Sequence, residues 1–225
     1  MGAAPRAAQR QGRLSVALAP EIVEGSLAGV ALDQATDVAV RAFDDDPFFS
    51  YLFPSPRQRH RSVGRLHRAV ISHLAPIAIT RTALLDGKVA GVALWVPPGK
   101  WPYPPMIQIR QVFAALHAFL PDVGSLGRGG RILRVVEQAH PKVPQWYLQL
   151  LMVDPDVQRQ GIGGLLQSPT LEVCDRDGLP AWLETQKVEN LAYYARFGFA
   201  VVHEHHPVED GPSMWSMRRD PTPGS

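Results

Sequence analysis

The sequence predicts an α+β fold with α/β-type layering, in which a central, mixed and mostly antiparallel sheet carries helices on both faces. An apolar run, Tyr147 to Val153, passes through Asp154-Pro155-Asp156 and a glycine turn into an apolar helix from Leu165, the strand–turn–helix order of a layered fold. Ala78 to Leu85 and Val89 to Val96 are apolar runs joined at Asp86-Gly87, a hairpin signal and hence an antiparallel pair. Helical and extended periods alternate along the chain without an internal repeat.

Leu32 to Phe43 has apolar positions at helical spacing and ends before Asp44-Asp45-Asp46-Pro47. Ser55 to Ala75 reads as a second helix, with Ser55 as N-cap and Pro56 in its first turn. The hairpin follows and stops at Pro97-Pro98, before a proline-rich loop from Trp101 to Pro105. Met106 to Leu120 and Ile132 to Ala139 read as helices separated by a glycine-rich link, Gly124 to Gly130. The strand at Trp146, the helix after Gly161, a strand at Ala181, a short helix at Asn190 and two closing strands, Ala200 to His205 and Ser213 to Arg218, complete the order.

The 225 residues suffice for one domain with a sizeable core. The expected division is a mobile tail at 1–14, a single domain at 15–219 and a tail at 220–225. The 23 basic and 21 acidic side chains leave a net charge of +2. That balance, without a basic stripe interleaved with aromatics, predicts no nucleic-acid partner. Arg57, Arg59, His60, Arg61, Arg65, His67 and Arg68 form a local basic run, read as a solvated helix face. No apolar stretch reaches the length of a membrane span, so no membrane partner is expected. Cys174 is the only cysteine, which excludes an internal disulfide and reads as buried filler. The first residues lack the apolar centre of a signal peptide, which makes the cytoplasm the expected location.

The chemistry concentrates in Trp146 to Gly164, WYLQLLMVDPDVQRQGIGG. A glycine turn at a helix start presents unpaired N–H groups and the positive end of the helix dipole, an anion site suited to a pyrophosphate. The Rossmann fingerprint fails because Leu166 stands at its third glycine, and the Walker pattern fails because no Lys follows Gly164. What remains is Q-x-x-G-x-G after a strand ending V-D-P, followed by Leu183-Glu184-Thr185, Asn190 and Tyr194-Ala195-Arg196-Phe197-Gly198-Phe199.

These linked motifs resemble the acetyl-CoA-binding half of the GNAT N-acetyltransferases. The segment from Pro144 to about Arg219 is similar in particular to their puromycin N-acetyltransferase group, through Ser168-Pro169, G-L-P, L-E-T and N-L-x-x-Y-x-R-x-G-F. The N-terminal half is similar only at Arg41-Ala42-Phe43 with Asp46-Pro47 and at Trp95-Val96-Pro97-Pro98. The resemblance implies the GNAT acyl-CoA N-acyltransferase fold, with a substrate-side half at 15–143 and an acetyl-CoA half at 144–219. It implies that the backbone of Leu151, Met152 and Val153 meets the pantetheine arm, that Arg159, Gln160, Gly161, Gly163 and Gly164 line the pyrophosphate, and that Asn190 meets the arm again. Tyr194 matches the family's general acid, and Glu184 matches a position that acts as base in some members; the alternative for Glu184 is a substrate anchor.

The expected activity is acetyl-CoA-dependent acetylation of a primary amine on a small molecule, an antibiotic or aminonucleoside by the nearest resemblance, through direct attack in a ternary complex. An acetyltransferase for protein N-termini or lysines and a non-catalytic acyl-CoA sensor are the alternatives. Asp44, Asp45 and Asp46 are candidates for attracting a cationic amine, against a solvated helix end. Trp101 and Tyr103 are candidates for walling an aromatic or sugar ligand, against scattered surface aromatics of an ordinary globular protein. His203, His205 and His206 form no convincing metal set, so no metal is expected. The expected assembly is a monomer or homodimer.

Overall fold

The computed structural model describes residues 19–222 apart from 121, 142 and 210. The expected tail at 1–14, and residues 223–225 of the other, lie outside the described residues. The strands are β1 (Glu21–Glu24), β2 (Ile79–Leu85), β3 (Lys88–Val96), β4 (Trp146–Val153), β5 (Ala181–Thr185), β6 (Ala200–His205) and β7 (Met214–Arg219). The helices are α1 (Gly29–Ala42), α2 (Pro47–Leu52), α3 (Pro56–Leu74), α4 (Pro105–Phe119), α5 (Val123–Ala139), α6 (Ile162–Asp177) and α7 (Val188–Ala195). One sheet runs in the order β1-β2-β3-β4-β5-β7-β6, antiparallel at every junction except the parallel pair β4–β5.

Alternation along β3 explains the layering. Val92, Leu94 and Val96 face a core built on Leu32, Val38, Ile71 and Leu74 of α1 and α3. Ala93 and Trp95 face the opposite core, with Leu166 of α6 and Leu183 of β5. Both faces are covered, so the strand is apolar at successive positions rather than alternating. The β2–β3 hairpin turns at Asp86 and Gly87, both at positive φ (50° and 71°), the left-handed pair that matches strand twist.

Three elements depart from the sequence reading. β1 is a four-residue edge strand paired with β2, too short and too exposed to show a period. α2 is a helix in a stretch to which the sequence reading assigned no element. The buried Asp46 caps it, accepting from the N–H groups of Phe48 (2.9 Å) and Phe49 (3.2 Å), with Pro47 in the first turn. The glycine-rich link 124–130 is helical and belongs to α5. Asp122 caps that helix through Gly124 N–H (3.0 Å) and Ser125 Oγ (2.6 Å). A Cβ on Gly129 would lie 2.7 Å from the Phe119 ring; glycine there lets α5 approach α4.

Two irregularities shape β4. Leu94 and Trp95 of β3 pair with Leu150 and Leu148, leaving Gln149 as an extra residue. This bulge inverts the side-chain alternation, so Leu150 and Met152 join Tyr147 on the α1–α3 face. On its other edge β4 meets β5 only at Trp146↔Ala181 and Tyr147↔Trp182. Beyond that point β5 continues against β7, and β4 from Leu148 to Val153 has no strand on that side. The two strands open as a V.

Candidate active site

The loop at the open end of the V is an anion cradle. A 3-10 turn, Pro155–Val157, follows β4, and Arg159 and Gly161 take positive φ (62° and 85°) before α6 begins. The N–H groups of Gly164 and Leu165 donate to Gly161 O at 2.9 and 3.1 Å. Those of Arg159, Gln160, Gly161, Ile162 and Gly163 donate to no described residue. Five successive free donors at a helix start, with the exposed Arg159 side chain in no ion pair among the described residues, suit a pyrophosphate. Gln158 shapes the turn by donating to Val153 O at 3.1 Å.

The glycines of the loop serve two purposes. A Cβ on Gly161 would meet open space; that residue is glycine because its φ is positive. A Cβ on Gly163 would overlap the Tyr193 hydroxyl, and one on Gly164 would lie 3.3 Å from the Phe197 ring. Glycine at 163 and 164 therefore admits Tyr193 of α7 and the following Phe197 against α6, and the Gly164 N–H is already used inside the turn.

Glu184 stands where β5 has left β4. Its carboxylate accepts from Tyr147 Oη at 2.8 Å and from Trp182 Nε1 at 2.5 Å. Burial pushes its pKa up to about 7, against the opposing pull of those two donors. A carboxyl group poised there exchanges a proton near neutral pH. Tyr194 lies across the sheet in the α6–α7 core, 5.1 Å from the Tyr193 ring and 5.8 Å from the Phe199 ring. Its hydroxyl bonds to no described residue, and burial drives its pKa up, so the phenol keeps its proton at every physiological pH. Asn190 spends one amide hydrogen on Thr185 Oγ1 (3.0 Å), tying the first turns of α7 to the end of β5. Leu151 and Val153 are half-buried and Met152 is buried, all three on the unpaired edge of β4.

An aromatic cluster stands behind the Tyr147 ring that holds Glu184. The Trp101 ring lies over His140 (4.3 Å between centroids), and both approach the Tyr147 ring at 5.8 and 4.7 Å. Tyr103 packs edge-on to Trp101 (4.6 Å) and donates its hydroxyl to Gln149, the bulged residue. Trp101 and Tyr103 thus pack beside Tyr147, together with His140 and Gln149. Tyr147 and Trp182 were hidden because their strands read as uniform apolar runs, and the bulge at Gln149 leaves no local sequence signal.

The three aspartates of the run each have a partner within the chain. Asp46 caps α2, Asp45 pairs with Lys187, and Asp44 holds His60 at 2.7 Å. A recess of about 240 Å³ lies between this run and the loop after β4, lined by Arg41, Asp44, Asp45, Pro155, Gln158 and Lys187. His205 bonds Ser216 at 3.0 Å and His206 bonds Ser213 at 3.1 Å. Among the described residues no group of three or more His, Cys, Asp or Glu side chains is arranged to hold a metal. Cys174 is buried, and burial pushes its thiol pKa up to about 12, which keeps it unreactive.

Residues 128–221 match the family described as the acetyltransferase (GNAT) domain. An uncharacterized N-acetyltransferase of Schizosaccharomyces pombe is 27% identical over 173 residues, which cover 74% of this chain and 69% of that protein. A Corynebacterium glutamicum structure described as histone acetyltransferase HPA2 and related acetyltransferase shares the fold at a TM-score of 0.63 and 20% identity, over 92% of this chain and 99% of that one. The Drosophila melanogaster polyamine N-acetyltransferase, which forms N-acetylagmatine, does so at 0.57 and 13% identity, over 89% and 100%. The chain therefore shares the fold of these acetyltransferases, and its residues 128–221 match the acetyltransferase (GNAT) domain.

Proposed function

We propose that the chain transfers an acetyl group from acetyl-CoA to a primary amine of a small molecule, by direct attack in a ternary complex. The observation that carries this reading is Glu184: a carboxyl group with its pKa near 7, held by Tyr147 and Trp182 at the mouth of the open V. The five free N–H groups from Arg159 to Gly163 fit the pyrophosphate of the cofactor, and the unpaired edge of β4 from Leu151 to Val153 fits its pantetheine arm.

In this reading the ionised Glu184 takes a proton from the ammonium or amine of the acceptor, directly or through one water. The amine lone pair attacks the thioester carbonyl carbon, whose oxygen is polarised by a backbone N–H of β4. The new C–N bond forms, the C–S bond breaks, the departing thiolate takes the Tyr194 hydroxyl proton, and the proton still carried by the acetylated nitrogen passes through water to the Tyr194 phenolate, restoring the phenol. Holding both reactants in the V supplies the orientation that a bimolecular encounter lacks. The aromatic wall of Trp101, Tyr103, His140 and Tyr147 supports an acceptor with a flat or apolar body, and it stands beside a single carboxylate. The resemblance to the puromycin group and the amine substrate named for the Drosophila neighbour support a small-molecule acceptor.

A thiol-release assay with acetyl-CoA and a panel of amines tests the reading, the panel containing puromycin, phenethylamine, agmatine and spermidine. Thiol release with at least one amine is the expected result. Silence across the panel together with acetylation of protein N-termini or lysines would move the activity to protein acceptors. Tight acyl-CoA binding with no transfer to either class would make the chain a sensor.

A further inference from the structure

Helix α4 turns the wrong side to solvent for a plain core helix. Met106, Ile109, Val112, Phe113, Leu116 and Leu120 are 67, 50, 54, 67, 41 and 54% exposed. Their spacing places them on one face, while Ile107, Ala118 and Phe119 form the buried side. Isolated exposed apolar residues are ordinary, but a contiguous arc of six large ones marks an interaction surface.

The border of this arc is cationic. On α3, which packs against α4, Arg57, Arg61, Arg65 and Arg68 recur at helical spacing and are exposed. Arg110 and His117 line the adjoining edge of α4. Neither helix contains an Asp or Glu. The one carboxylate that reaches the row is Asp33 of α1, 2.5 Å from Arg68. Between the helices lies a groove of about 570 Å³ whose lining includes Arg65, Arg68, Ser72, Arg110, Phe113 and His117. Its size and its cations suit a phosphate-bearing headgroup beside the apolar arc.

We propose that the apolar arc of α4, with the arginine row of α3 beside it, docks the protein on an anionic lipid surface. An apolar face bordered by Arg, with no acidic residue on either helix, is the composition of an interfacial helix lying in the headgroup plane. Among the described residues no helix is long and apolar enough to cross a membrane, so the contact lies at the surface. A second copy of the chain fits less well. Neither α3 nor α4 of a second copy offers a carboxylate to pair with the arginine row. The proposal departs from the sequence-based expectation of no membrane partner: the period of residues 106–120 shows an amphipathic helix but not which side faces out. It is independent of the acetyl-transfer reading.

The test is cosedimentation of the full chain with vesicles of phosphatidylcholine, alone or mixed with phosphatidylserine. The expected result is binding to the mixed vesicles only, with release at high salt. The Ile109→Glu/Phe113→Glu and Arg65→Glu/Arg68→Glu variants should each weaken binding at least ~10-fold while keeping the wild-type circular dichroism and melting curve. No sedimentation with either vesicle would overturn the proposal, and so would equal binding to both. A wild-type dimer that Phe113→Glu dissociates, without lipid binding, would assign the arc to a second copy instead.

Discussion

The Tyr193 hydroxyl occupies the space that a Cβ on Gly163 would need, and the Gln167 amide holds it there from 2.9 Å. This contact joins the start of α6, which bears the anion cradle, to α7, which bears Tyr194. Gly163→Ala should destabilise the protein by about 1–3 kcal/mol, the usual cost of overpacking. Tyr193→Phe alone should cost about 1 kcal/mol through the lost hydrogen bond. The double variant should be more stable than the sum of the two predicts, because the phenyl ring no longer carries the atom that collides. Urea unfolding of the four proteins measures this, and strict additivity would refute the contact.

Tyr193 also provides a control for the proton donor. Tyr194→Phe should reduce kcat by roughly 10²–10⁴ while leaving coenzyme A affinity nearly unchanged, since the lost proton transfer matters in the transition state. Tyr193→Phe, one residue away and bonded to Gln167, should lose far less. Equal losses in the two variants would make both effects structural and would take the acid role from Tyr194.

What the sequence revealed about this region follows from the range of each signal. The glycine turn, the L-E pair and the Y-x-x-x-G-F segment are local patterns with fixed spacing, and each sits on the element the spacing predicts. The Asp86-Gly87 hairpin was legible for the same reason. The opening between β4 and β5 was not, because it depends on β5 choosing β7 over β4 after two residues. Tyr147 reaches Glu184 only through strand pairing across 37 positions, and His140 reaches Trp101 only through packing. The α2 helix was legible and missed: Asp46-Pro47 is a cap followed by a first-turn proline, but the neighbouring aspartates drew a charge-based reading. The link at 124–130 misled because glycine there serves helix–helix contact at Phe119 rather than chain reversal.

The buried histidines should make the fold acid-labile. His67 donates to Val63 O at 2.9 Å and stacks on Phe43, and His140 lies over Trp101; burial lowers both pKa values to about 4. Between pH 6.5 and 4 the unfolded chain binds protons that the folded chain refuses, so stability rises with pH across that window and falls as it is acidified. Each group contributes roughly 3 kcal/mol at the acid end. Glu184 runs the other way: its raised pKa makes the folded state the better proton binder between about 4.5 and 7. Two histidines outweigh one carboxyl group, so the melting temperature should climb from pH 4.5 to 6.5. His140 Nδ1 has no partner among the described residues, while Nε2 meets the buried Gln145 amide at 3.4 Å; His140→Phe should therefore cost about 1 kcal/mol at pH 7 through that one lost hydrogen bond and should flatten the slope. A slope unchanged by the substitution would mean that His140 titrates normally.

The environment of Glu184 sets the pH dependence of turnover. If the ionised carboxylate is the base, kcat should rise with pH through about 7, because below that value the group is protonated and cannot accept. An unshifted glutamate would give no such limb above pH 6. Tyr147 and Trp182 both donate to the carboxylate and thereby hold its pKa below what burial alone would produce. Removing one donor in Tyr147→Phe should move the limb to higher pH, by roughly one unit for a hydrogen bond of about 1.4 kcal/mol. The bound acceptor amine titrates as well, and a series of amines of different basicity separates the two groups: a limb in kcat that keeps its place across the series and moves with Tyr147→Phe reports Glu184. Glu184→Gln keeps the shape of the side chain and should lose both the rate and the limb. If Glu184 only anchors the ammonium, Glu184→Gln should raise KM with kcat almost unchanged, and the limb in kcat should persist; that pattern would remove Glu184 from the proton transfer and leave it as a substrate contact.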